Sequence, residues 1–135
     1  MNMTNEPDPI WLEHELLIGL QALALTGDDQ FEYHYHIGAC PVCELISEFR
    51  FPYEAYIGNF SQQLTSPQIA ALRSIAVEIE AIGAEDTKCF DREVLDRAVW
   101  VRLRGLAAAA LASLGWPIGA PIPYRETSPG VFTRP

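Results

Sequence analysis

Apolar positions recur at the helical period through most of the chain. From Pro9 to about Thr26, Leu12, Leu16, Gly19, Leu20 and Leu23 fall on one face, and Ile18 and Leu25 widen the stripe. Asp8 is placed to cap this helix, Pro9 suits its first position and Gly27 suits a left-handed stop. A second helix is predicted from Cys40, with Cys40 as N-cap, Pro41 as first residue, and Val42, Leu45, Ile46 and Phe49 facing inward. Pro52 is expected to end it, because the residue before a proline is pushed out of helical geometry. A third helix follows from Pro52 to about Leu64, presenting Tyr53, Tyr56, Ile57 and Phe60. Thr65 and Gln68 have the spacing of a capping box ahead of Ile69, Leu72, Ile75, Ala76, Ile79 and Ile82, a stripe that Gly83 stops. The last helix is expected to start at an Asp91 cap and to carry Leu95, Val99, Leu103, Leu106 and Ala110 inward. Gly115 closes it, Trp116 folds back onto Leu111 and Pro117 blocks continuation. Small residues from Gly105 to Ala112 mark it as a helix that another approaches closely.

Two stretches break the helical pattern. Phe31, Tyr33, Tyr35 and Ile37 alternate with Glu32, His34 and His36, which predicts an extended segment over 31–37. A lone strand needs a partner, either Val131-Phe132-Thr133 or the same strand in a second copy, which would make a homodimer through 31–37. The segment 117–135 holds five of the ten prolines and reads as an extended tail. The expectation is therefore a mainly α fold: a compact bundle of about five helices in one domain, 1–135, with a short extended segment at 31–37 and an extended C-terminal tail.

Composition narrows the function classes. The 135 residues are 49% hydrophobic, enough to bury a core without disulfides or metal. The formal net charge of −9 repels a phosphate backbone, so nucleic acid is not an expected ligand, whereas a basic protein partner is. Lys88 is the one lysine beside eight arginines, and with the many alanines this hints at a bacterial source. No basic, apolar leader opens the chain, and the longest apolar stretches, Leu16–Leu25 and Gly105–Leu114, fall short of the ~20 residues of a membrane span. A reducing cytoplasm is the expected location, and three cysteines, an odd number, are not the signature of a secreted disulfide scaffold.

Candidate chemistry concentrates in His34-Tyr35-His36-Ile37-Gly38-Ala39-Cys40-Pro41-Val42-Cys43. On a strand His34 and His36 point the same way, and Cys-x-x-Cys puts two sulfurs within reach of one tetrahedral ion. His34, His36, Cys40 and Cys43 thus offer two nitrogens and two sulfurs, a set that suits structural zinc, with Cys89 or His14 as substitutes for one ligand. The plainer alternative is an apolar or solvated role for the histidines, with small buried thiols. Over its four residues Cys40-Pro41-Val42-Cys43 also resembles the Cys-Pro-x-Cys active-site motif of glutaredoxins, and rubredoxin-type metal knuckles share the same letters. The glutaredoxin resemblance implies that Cys40 caps a helix whose N-terminus lowers its pKa, and that Cys40 and Cys43 exchange disulfides. Elsewhere, His14 between Glu13 and Glu15 reads as a solvated residue. Arg92, Arg97, Arg102 and Arg104 read as a salt-bridged face, with Glu93 and Arg97 at pairing distance. No complete catalytic constellation stands out, and the expected function is a non-enzymatic protein-binding or inhibitor-type accessory module, immunity proteins being one example; a thiol–disulfide redox protein is the alternative.

Overall fold

The computed structural model describes residues 9–35 and 37–134. Helices α1 (Pro9–Ala24), α2 (Gly27–Tyr35), α3 (Pro41–Phe60), α4 (Ser66–Glu80) and α5 (Ala98–Leu114) are followed by a hairpin of β1 (Arg125–Ser128) and β2 (Val131–Thr133). This is the mainly α architecture that the apolar periodicity predicts. Helix α1 lies at the centre, packed against α3 and α5, and α4 leans on α5. One core joins Leu12, Leu16, Leu20 and Leu23 of α1 with Leu45, Phe49 and Tyr56 of α3 and Trp100, Leu103, Ala107 and Leu111 of α5.

The approach of α1 to α3 depends on Gly19. A Cβ at that position would lie 2.8 Å from the Glu48 carbonyl carbon and 3.1 Å from the Phe49 Cα, both backbone atoms that cannot step aside. Gly19→Ala is therefore expected to cost about 1–3 kcal/mol by overpacking. Urea denaturation reads this as a lower midpoint at unchanged slope; an unchanged midpoint would show that the two helices part without loss.

Several helix ends follow their sequence signals. Gln68 N–H donates to Thr65 Oγ1 (3.3 Å) while Thr65 N–H donates to Gln68 Oε1 (2.9 Å), the expected capping box. Gly115 adopts φ +71°, and Trp116 N–H donates to the Leu111 carbonyl at 2.9 Å. Cys40 is extended and Pro41 opens α3. Asp8, the expected cap of α1, lies outside the described residues.

Several expectations are corrected, and Gly27, expected as a left-handed stop, instead opens α2. Residues 31–35 are helical, not extended. The Thr26 hydroxyl accepts from Asp29 N–H at 3.2 Å, Asp28 and Asp29 sit favourably in the first turn, and Gly38, at φ +75°, turns the chain out after the helix. The alternating aromatics serve a helix equally well: Phe31 and Tyr35, four apart, stack at 4.9 Å. The tail strand at Val131–Thr133 pairs instead with Arg125–Ser128, antiparallel, around a left-handed Gly130.

Pro52 does not end a helix; it is buried within α3, which runs through it to Phe60. A proline costs the carbonyl four residues back, Glu48, its helical donor, and this is where Gly19 of α1 is packed. Asp91 caps a 3-10 turn, Arg92–Asp96, rather than α5, which starts at Ala98. The helical spacing of Glu93 and Arg97 is thereby lost, and Arg97 pairs with Asp86. The remaining arginines do form a paired face: Arg92 with Asp28 and Asp96, and Arg102 with Glu78. Arg104 instead turns inward, donating to the carbonyls of Leu25 (2.6 Å) and Leu95 (3.1 Å) and to Gln30 Oε1 (3.0 Å).

Candidate functional site

The turn after α2 delivers Cys40 to the start of α3, and the loop between α4 and α5 brings Cys89 against it. Cys40 and Cys89 form a disulfide. One helical turn on, Cys43 remains a free, exposed thiol, with its Sγ 3.7 Å from the Cys89 Sγ. All three sulfurs lie within 4.8 Å of one another; Cys40 is half-buried and Cys89 is exposed. Cys43 and Cys89 therefore face solvent, while Cys40 sits at the N-terminus of a 20-residue helix whose first residue, Pro41, has no N–H to offer. The Cys40 side chain, held in the disulfide, makes no cap hydrogen bond, and the nearest N–H groups of the helix end belong to Val42 and Cys43. On the Cys89 side, Phe90 takes a positive φ of 61°, a strained conformation for a bulky residue, with its ring edge-on to Tyr35 at 6.1 Å.

The sequence-predicted metal residues are divided by the fold. Cys40 and Cys43 come together, with Cys89 as the third sulfur. His34 and His14 are not in that group, and His36 lies outside the described residues. His34 is fully buried and its Nε2 meets Glu48 Oε1 at 2.8 Å. Its Nδ1 is buried without a hydrogen-bond partner among the described residues. Three cysteines this close can hold a metal ion only when the disulfide is reduced, because the thiolate, not the disulfide sulfur, is the ligand.

Further along α3 the same helix builds a second polar cluster, one that sequence reasoning missed. Glu48, with a side chain only 7% exposed, accepts from His34 and from the Tyr124 hydroxyl at 2.5 Å through Oε1, and from Arg134 at 3.3 Å through Oε2. Arg134 also reaches Glu15 of α1 at 3.3 Å and lies over the Tyr124 ring at 4.9 Å. Burial by itself would raise the Glu48 carboxyl, but the His34 hydrogen bond and charge, the Tyr124 hydroxyl and the Arg134 charge together hold it below its ordinary value. Tyr124 is pushed up by burial and by its hydrogen bond to Glu48. The extended tail is thus laid across the bundle by specific bonds, which include Gln21 Nε2 to the Pro117 carbonyl (3.0 Å) and the Tyr33 hydroxyl to the Ile122 carbonyl (2.7 Å). The sequence carried one usable signal: Glu48, Pro52 and Ala55 follow Glu44 and Ser47 at helical spacing if Pro52 is read as part of the helix.

No protein family, curated protein or solved structure is significantly similar to this chain. Among the described residues no helix is long and apolar enough to cross a membrane.

Proposed function

We propose that the protein exchanges thiols and disulfides through Cys40, Cys43 and Cys89. The observation that carries this reading is the 3.7 Å approach of the free Cys43 sulfur to the Cys89 sulfur of the Cys40–Cys89 disulfide. A Cys43 thiolate attacking Cys89 forms the Cys43–Cys89 bond and breaks the Cys40–Cys89 bond. Cys40 then leaves as a thiolate, which the N-terminus of α3 stabilises. That step moves the disulfide to two exposed cysteines without net oxidation.

In the reduced chain the Cys40 thiolate attacks a substrate disulfide, joins one substrate sulfur and releases the other as a thiolate. Cys89 thiolate then attacks Cys40, expels the second substrate thiolate and restores the Cys40–Cys89 disulfide. The substrate gains two electrons and the cysteine pair loses them, so turnover requires a small dithiol as reductant. We place this chemistry in a reducing cytoplasm, where a disulfide beside a free thiol is one that forms and breaks.

The test is the reduction of an aryl disulfide, driven by dithiothreitol and followed by the absorbance of the released thiolate. Wild-type protein is expected to accelerate it over the uncatalysed rate, and Cys40→Ser to lose at least about tenfold of that acceleration. A wild-type rate equal to the background, or one indifferent to Cys40→Ser, would overturn the reading.

The three sulfurs within 4.8 Å also support a second reading, in which the reduced chain holds a soft ion such as zinc on Cys40, Cys43 and Cys89 with a fourth position open. Bound metal would compete with exchange, because each thiolate it takes is removed as a nucleophile. The acidic surface, at a net charge of −9, is what supports a basic protein partner for either form.

A further inference from the structure

Beside the Glu48 cluster, between α1, α3 and the tail, lies a cleft of about 570 Å³. Its size suits a small ligand, and its construction is that of a ligand site: an apolar wall with a few converging polar groups. Trp11, Leu12, Phe51, Pro52 and Ala55 form the wall. Two of these are large aromatics left at the surface, Trp11 57% exposed and Phe51 70% exposed. Together they place two aromatic faces, each open to solvent, in the lining of one cleft.

The polar side is rich in acceptors. Glu15, Glu44 and Glu48 face a single guanidinium, Arg134, so the cleft keeps a net negative charge. Arg134 is already engaged by Glu15 and Glu48. Glu44, half-buried at the rim, has no ion pair or side-chain hydrogen bond among the described residues. An incoming carboxylate or phosphate would meet these acids; a donor of positive charge would be matched by Glu44 and by the free oxygen of Glu15, with aromatic faces available to the cation.

We propose that this cleft binds a small organic ammonium, a primary or methylated amine carrying an aromatic or alkyl body, with the cation at Glu44 and Glu15 and the body against Trp11 and Phe51. The site is separate from the cysteine chemistry and does not depend on it. Both nevertheless lie on α3, where Ser47 of the cleft donates to the Cys43 carbonyl at 2.9 Å.

Phenethylammonium, 2-phenylethanol and 3-phenylpropionate are matched probes of similar size that differ in charge. Titrated into the full chain at low salt, the ammonium is expected to shift the Trp11 indole N–H resonance saturably and to bind at least about tenfold more tightly than the alcohol, with the carboxylate weaker still. Glu44→Gln is expected to weaken the ammonium several-fold and leave the alcohol unchanged. Glu44 is a rim residue, so the melting temperature of that variant should match wild type and separates lost charge from lost fold. Equal binding of all three probes, preference for the carboxylate, or no saturable shift would overturn the proposal.

Discussion

Under oxidising conditions Cys89→Ser is expected to lose about 4 kcal/mol of stability and Cys40→Ser no more than about 1 kcal/mol, although the two residues share one disulfide. The bond joins residues 49 apart, and the chain-entropy account of cross-linking assigns a loop of that length about 4 kcal/mol. Cys89→Ser leaves Cys40 and Cys43, which are three residues apart and cannot close the long loop. Cys40→Ser leaves Cys43, already 3.7 Å from Cys89, and a Cys43–Cys89 bond spans 46 residues, nearly the same loop. Cys43→Ser should resemble wild type, because it keeps the original bond. Urea denaturation with and without dithiothreitol reads the series: the differences should collapse on reduction. Equal losses in the Cys40 and Cys89 variants would show that Cys43 cannot take over the bond.

Glu48→Ala is expected to cost about 3–5 kcal/mol, the range for removing one partner from a buried charged network. It leaves His34, fully buried, with no acceptor on Nε2, and leaves Tyr124 and Arg134 without the carboxylate that fixes the tail to α3. The tail should also become the first segment cut by a protease, since two of its anchors are lost together. Because the folded carboxyl lies below its ordinary value, ionised Glu48 contributes stability that is present above the unfolded pKa and is lost as pH falls through the folded one. Wild-type stability should therefore decline from about pH 5 downward as this carboxylate is protonated. Glu48→Gln, which cannot ionise, should flatten part of that decline. An acid limb of the same steepness in Glu48→Gln would mean that other carboxylates dominate it.

What could be read in the chain beforehand was local. The capping box at Thr65, the left-handed Gly115 and the Cys40–Pro41 helix start are short-range devices, and each stands where its letters place it. The failures came where a contact outside the stretch being read outweighed its local signal. Pro52 is tolerated inside α3 because α3 is held along its length by α1, with Gly19 against the very turn that the proline weakens. The aromatics at 31, 33 and 35 follow a period of two, but Thr26, a residue outside that window, caps them into a helix. Cys40 and Cys43 were legible as a pair; Cys89 appeared only as a substitute ligand, because nothing in the sequence around it shows that a loop 49 residues away folds back onto Cys40. His34 was legible as a chemically interesting residue, while its partner Glu48, fourteen residues on, lay on an expected helix with no local sign that α2 would bury His34 against it.

The exchange proposed for the three cysteines is tested most directly by mapping which disulfide exists. Protein equilibrated in a thiol–disulfide buffer, quenched in acid, alkylated and digested is expected to yield both Cys40–Cys89 and Cys43–Cys89 peptides, in a ratio that relaxes faster as pH rises, as thiolate attack requires. Cys40–Cys89 as the sole linkage at every pH, with Cys43 alkylated throughout, would contradict it.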